Sequence, residues 1–252
     1  MSKYQGAIQW GSVKGGGYEW AVTRVSDGVN VPDATFATNW AGMKTAGVIR
    51  GAYQFFRPAQ DPIQQADYFL SKLQQSGAIA DGDLAPVLDV ETVDGVSTAD
   101  LRQRMQQWLD RMEQGTGRKP IIYTASFMSA TVGTGFGNYP LWVANYGAAC
   151  PTLPAGWNDW KMWQSADNGA VPGVSVAADV DVFSGTLADL TAFTHASHSP
   201  AGVGKHPHRD SLLADPSARA AEPSGSEGGG SVMGDGRPAT PSSTTLPGAP
   251  CP

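Results

Sequence analysis

The chain has 252 residues, 41% of them apolar, and a formal net charge of −6. That length allows one large domain or two small ones, and the mild acidity argues against nucleic acid as a partner, because phosphate backbones select basic surfaces. No apolar stretch is long enough to span a bilayer, and the opening MSKYQGAIQW has no basic segment leading into an apolar run, so no secretion signal is visible and the compartment stays open.

Taken in chain order, short β-branched or aromatic runs alternate with longer amphipathic ones. Strands are expected at Glu19–Val25, Val48–Phe55, Leu84–Val90, Pro120–Thr124, Leu141–Ala144, Lys161–Ser165 and Asp179–Phe183. Helices are expected at Phe36–Ala46, Pro62–Ser76 and Thr98–Gln114, with Pro62 in a first turn and Ser97 as an N-cap. In the third helix Leu101, Met105, Trp108, Leu109 and Met112 make an apolar stripe at helical spacing. Up to the Pro120 strand, successive strands start roughly thirty or more residues apart, which leaves room for a crossover helix; beyond it the spacing falls to about twenty. The expected fold is therefore α/β, a mainly parallel barrel with helices in its first half and short connections in its second. Gly15, Gly16 and Gly17 read as a plain turn.

Composition changes near Thr194. All eight tryptophans and all seven tyrosines precede it, whereas nine of the eighteen prolines follow it, among runs such as SGSEGGGS and PATPSSTTLPGAP. Too little apolar surface remains there to offset the entropy of ordering, so the expected organisation is a barrel over 1–194 and a disordered tail over 195–252. All four histidines fall in that tail. A Ser-His-Asp triad, a Cys-His pair and an HExxH metal site are thereby excluded from the folded part, and no phosphate-binding glycine loop occurs. Cys150 and Cys251 are expected as two free thiols rather than a bridge.

The chemistry lies in Pro86-Val-Leu-Asp-Val-Glu91. Strand side chains alternate, so Val87, Asp89 and Glu91 share one face and Leu88 and Val90 the other. Carboxylates at the C-terminal end of a barrel strand read as catalytic. A capped or salt-bridged strand end is the competing reading, and the segment alone does not decide between them. Ala178-Asp-Val-Asp-Val-Phe183 repeats the pattern with Asp179 and Asp181, and in a closed barrel the last strand lies beside the first. Carboxylates crowded into one concave site raise one another's pKa, which supplies a proton donor next to an ionised partner, as glycoside cleavage requires. Tyr53, Tyr123, Trp142, Tyr146 and Trp163 sit in or just after strands. Most barrel aromatics are core, and Tyr123 and Trp142, near strand C-termini, are the strongest candidates to stack on sugar faces.

These residues carry a family resemblance. Ser2-Lys-Tyr-Gln-Gly6, Arg24-Val-Ser-Asp-Gly28, Gly51-Ala-Tyr-Gln-Phe55, Gln65-Ala66, Pro86–Glu91, Ile122-Tyr123, Leu141–Tyr146, Trp163-Gln164 and Asp179–Phe183 occur in the order found in glycoside hydrolase family 25 lysozymes, which the chain resembles across almost all of 1–185. The resemblance implies an irregular TIM-like barrel of five β/α units followed by three strands. It also implies hydrolysis of the β-1,4 bond between N-acetylmuramic acid and N-acetylglucosamine of peptidoglycan, with no metal or other cofactor. Carried over by position, Glu91 is the general acid/base, and Asp89 and Asp179 orient the substrate's acetamido group or stabilise developing positive charge. Tyr53, Tyr123 and Trp142 are the expected substrate contacts. The partner is peptidoglycan glycan, with no nucleic acid or membrane, and a monomer is expected.

Two departures stand out. Gln54 replaces the histidine usual in the family. The family's opening Gly-x-Asp-Val is absent, and Met1 stands where its Val belongs, so a first strand shortened to Met1–Tyr4 and one fewer active-site carboxylate are expected. A glycan-binding barrel without turnover and a chitinase-like glycosidase are the competing functions.

Overall fold

The computed structural model describes residues 1–77 and 79–195. A 3₁₀ turn over Lys3–Gln5 leads to α1 (Trp10–Gly15), β1 (Trp20–Asp27), the two-residue β2 (Val31–Pro32), α2 (Phe36–Ala46), β3 (Ile49–Phe55), α3 (Pro62–Gln75) and β4 (Val87–Val90). Then come α4 (Thr98–Thr116), β5 (Ile121–Ala125), the short α5 (Ser129–Val132), β6 (Leu141–Ala144), β7 (Met162–Gly169), β8 (Ala178–Phe183) and α6 (Leu187–His195). All seven expected strands and all three expected helices are present, with ends moved by a few residues. The helix caps follow local chemistry: Asp61 accepts from the Gln64 N–H before Pro62, and Ser97 accepts from the Asp100 N–H.

The strands form one curled sheet in the order β2-β1-β3-β4-β5-β6-β7-β8. Pairing is parallel from β1 through β3 to β7, and β8 returns antiparallel along β7. Full helices follow β1, β3 and β4, a single short one follows β5, and none lies between β6 and β8. This is the irregular TIM-like barrel that the resemblance implied, with four β/α units rather than five before the last three strands, because the stretch ahead of α1 forms no strand. The ladder does not close strand to strand, however: β1 and β8 are not neighbours in it. Nor is Met1–Tyr4 a strand. The Met1 amine donates to the Val22 carbonyl at 2.8 Å and the Arg24 N–H donates to the Met1 carbonyl at 2.8 Å. Those two bonds make a one-residue parallel bridge opposite Thr23, after which the chain turns into the 3₁₀ helix.

Two apolar bodies hold the sheet. Outside it, Leu88, Val90 and Ile122 pack with the α4 stripe Leu101, Met105, Trp108, Leu109 and Met112, every one of them fully buried. Burial of each such side chain is worth about 1.5–3 kcal/mol. The helices α3 and α4 approach so closely that a Cβ on Gly115 would lie 2.5 Å from Leu70. Gln54 faces this outer layer: Trp108 Nε1 donates to its Oε1 at 2.8 Å and its Nε2 donates to Ser26 Oγ at 3.0 Å. The residue is thus a satisfied packing group, away from the barrel interior.

Inside the sheet, Trp20, Val22, Val87, Ile121, Trp142 and Met162 fill the end from which the strands start, and Leu190 of α6 closes it. Phe193 packs on Phe183 at 5.8 Å between ring centres, and Arg118 donates to the Asp83 and Thr194 carbonyls. His195, expected beyond the folded part, is the last residue of α6, and its Nδ1 lies 2.6 Å from Asp81 Oδ1. That contact is at the closed end, away from the carboxylates. Cys150 is disulfide-bonded, not a free thiol, and Cys251, like the rest of 196–252, lies outside the described residues. Among the described residues no helix is long and apolar enough to cross a membrane.

Candidate active site

The site is built by taking each interior strand two residues past its apolar layer. On β4, Val87 belongs to the inner core and Asp89 follows on the same face, fully buried, while Leu88 and Val90 face the helices. On β5 the step runs from Ile121 to Tyr123, on β7 from Met162 to Gln164, and on β1 from Val22 to Arg24. The register brings these together: Asp89 pairs with Tyr123, Ala144 with Gln164, and Gln164 with Asp181. Glu91, just beyond the end of β4, and Asp179, on β8, reach the surface of a cleft of about 580 Å³. Its walls include Tyr4, Gln5, Tyr123, Phe127 and Tyr146. The volume is within the roughly 300–1,000 Å³ usual for ligand sites.

Asp89 and Glu91 form a coupled pair. With both ionised, neither Asp89 oxygen nor Glu91 Oε1 has a donor. Their contact becomes a hydrogen bond when one carboxyl carries a proton, and burial drives it to do so. Burial, the Glu91 charge and that shared bond raise Asp89 well above the ordinary range, and the Arg24 charge only partly opposes them. Burial raises Glu91 to about 7; the bond to Asp89 lowers it and the Asp179 charge raises it. Glu91 therefore faces the cleft as a carboxyl that still holds a proton near neutrality.

The surroundings keep the charges in place. Arg24 Nε binds Asp33 Oδ2 at 3.0 Å in a buried ion pair, and Asp33 also accepts from the Lys3 and Thr35 N–H groups at 3.0 Å each. Burial alone would raise Asp33; the hydrogen bonds from Thr35 and Lys3 and the charge of Arg24 outweigh it and hold the carboxyl below its usual value. Tyr4 lies over the Arg24 guanidinium at 5.1 Å. Tyr53 is buried beneath the cleft with no partner for its Oη. Burial raises its pKa and the Arg24 charge opposes this, leaving a phenol that keeps its proton.

The carboxylates foreseen in the sequence thus converge, with Asp89 behind Glu91. Of the three aromatic contacts, Tyr123 lines the cleft, Tyr53 lies under it, and Trp142 does neither. The Trp142 indole is fully buried, edge-on to Tyr123 and Trp20, and its Nε1 donates to Asp181 Oδ1 at 2.8 Å. No ring face is left for a sugar. Tyr146 is 40% exposed at the rim, and Phe127, which no pattern in the sequence marks, is 73% exposed. Phe127 sits on a 3₁₀ turn, where neither helical nor strand period marks a residue. Among the described residues no group of His, Cys, Asp and Glu is placed to hold a metal ion.

Comparison with known proteins fits this geometry. Residues 1–174 match the family described as Glycosyl hydrolases family 25. The chain belongs to that family. It is 37% identical to Lysozyme M1 of Streptomyces globisporus over 77% of this chain and 70% of that protein. Among solved structures it is similar to the bacterial lysozyme from Streptomyces coelicolor, with a TM-score of 0.72, 33% identity, and coverage of 77% of this chain and 94% of that one. A muramidase from Trichobolus zukalii is similar with a TM-score of 0.70 at 26% identity, covering 78% and 97% of the two chains. In this family 25 hydrolase the matched segment includes Asp89 and Glu91, and β8 with Asp179 lies just beyond it.

Proposed function

We propose that this protein is a lysozyme that hydrolyses the β-1,4 bond between N-acetylmuramic acid and N-acetylglucosamine in peptidoglycan. The observation that carries the reading is the buried Asp89–Glu91 pair, whose outer member opens on the cleft with a pKa raised to about 7. Glu91 protonates the glycosidic oxygen as the bond to the anomeric carbon breaks, and water then adds to that carbon and returns a proton to Glu91. Asp179, lining the same cleft, faces the positive charge that develops on the sugar ring. Asp89 has no place on the cleft wall; it holds the Glu91 carboxyl and exchanges a proton with it. Tyr4, Phe127 and Tyr146 offer flat apolar faces for sugar rings.

Reducing-end analysis of digested peptidoglycan tests the reading. New muramic acid ends are expected. New glucosamine ends would favour a different glycosidase, and binding without new ends would favour a glycan-binding barrel. We assign the activity to the barrel over residues 1–194. Every residue lining the cleft lies within it, so removing 196–252 is expected to leave kcat/KM equal to that of Cys150→Ser, the control needed because the sequence's other cysteine lies in the removed segment, and a marked drop below that control would contradict the assignment.

A further inference from the structure

The Trp163-Gln164 pair of β7 has no task in the chemistry above, yet it is tied closely to the cleft. The Asn145 N–H donates to the Gln164 carbonyl at 3.2 Å, and Trp163 Nε1 donates to the Asn145 carbonyl at 2.8 Å. Together they pin the backbone immediately before Tyr146. The Gln164 side chain is fully buried, and its amide ends between two phenols. Tyr123 Oη and Tyr146 Oη lie 2.8 and 2.5 Å from Oε1, while Nε2 is buried with no partner. Both tyrosines line the cleft with Glu91 and Asp179.

A half-turn of the amide exchanges its oxygen and nitrogen with little change of shape. With Oε1 between the phenols, both O–H groups are spent on the amide, and two buried N–H groups face nothing. With Nε2 there, its two hydrogens serve the two phenol oxygens, and only a carbonyl oxygen is left unpaired. An orphaned buried N–H is the rarer and costlier of the two. The second arrangement also frees both phenol protons from the amide, so that a ligand acceptor competes only with the contact between the two phenols.

We propose that Gln164 donates through Nε2 to both phenols, turning the Tyr123 and Tyr146 O–H groups into the cleft as paired hydrogen-bond donors to the acetamido carbonyl of an N-acetylated sugar. The inference rests on the lysozyme reading for its ligand. Burial raises both phenols, with Glu91 adding to it at Tyr123 and Asp179 at Tyr146, where a hydrogen bond with Tyr123 opposes them only in part, so both keep the protons they would donate. An amide carbonyl is the strongest neutral acceptor on such a sugar. Gln164 is then a positioning residue, and the two tyrosines touch the substrate.

The test is Gln164→Glu, compared with wild type at a pH above the titration of the introduced carboxyl, where it keeps the shape but only accepts. It would hold both phenol protons away from the cleft. We expect kcat/KM on peptidoglycan to fall about a hundredfold, the scale of losing an aligned donor, and no further fall when Gln164→Glu is added to Tyr123→Phe/Tyr146→Phe. Activity equal to or above wild type in Gln164→Glu would show that the glutamine accepts, and would overturn the proposal. Should that buried carboxylate prevent folding, Tyr146→Phe decides on a ratio. Its loss is expected on N-acetylated peptidoglycan and not on the same material after N-deacetylation; an equal loss on both would overturn the proposal. Failure of the wild-type protein to cut peptidoglycan would instead remove the lysozyme reading, and this inference with it.

Discussion

The closed end and the mouth of the barrel are two residues apart along each strand and follow opposite rules. At the closed end Val22, Val87, Ile121 and Met162 fill the interior, and α6 seals it with Leu190. At the mouth the same strands carry Arg24, Asp89, Tyr123 and Gln164, all buried. Here Tyr53 Oη has no hydrogen-bond partner, Asp89 has only the shared bond to Glu91, and one end of the Gln164 amide is left unpaired. One end lowers the free energy of the fold and the other raises it. Such local conflict within a consistent fold marks the place where function has been selected over stability.

Glu91→Gln gives the largest effect and separates the two rules in one variant. Turnover is expected to fall by at least the ~10²-fold typical of losing a general acid. Stability moves the other way. The folded Glu91 keeps its proton between 4.5 and about 7, where the unfolded carboxyl has lost it. Folding takes up a proton in that window, so wild-type stability falls as pH rises through it and stays lower above it. Gln cannot ionise and escapes this loss. The variant should melt higher than wild type above neutrality, with the difference closing towards pH 4.5. A pH-independent difference in melting would place the conflict elsewhere.

Leu109→Ala probes the outer layer. Leu109 is fully buried among α4 and its neighbours, and truncation is expected to cost about 2–5 kcal/mol in denaturant unfolding. Since Leu109 does not line the cleft, kcat/KM of the folded protein should not change; a change would show that the packing layer sets the site geometry. Trp142→Phe is smaller. It removes the donor to Asp181, leaving that carboxylate one bond short at about 1–3 kcal/mol. KM should hold, because the ring has no exposed face. A raised KM would return Trp142 to the sugar contacts.

Sequence carried the strands, the main helices and the carboxylates because each rests on a local rule. Alternation put Asp89 and Val87 on one face, and 3.6-residue spacing marked the α4 stripe. What escaped it depends on contacts across the chain. Trp142 and Tyr146 look alike in sequence, near the end of β6, but the indole finds Asp181 thirty-nine residues away and turns inward. Arg24 gave no local sign that it would pair with Asp33 beneath the site. The expectation of a closed ladder failed because Met1 makes a single bridge to β1 before its chain turns into a 3₁₀ helix.

The central claim is that burial makes Glu91 a proton donor at neutral pH. The dependence of kcat/KM on pH, measured on purified peptidoglycan, tests it most directly, because that quantity reports the ionisations of the free enzyme. The account predicts an activity that falls tenfold per pH unit above a break at about 7. A descending break near the ordinary glutamate value of 4.5, with activity already falling tenfold per pH unit through neutrality, would contradict it.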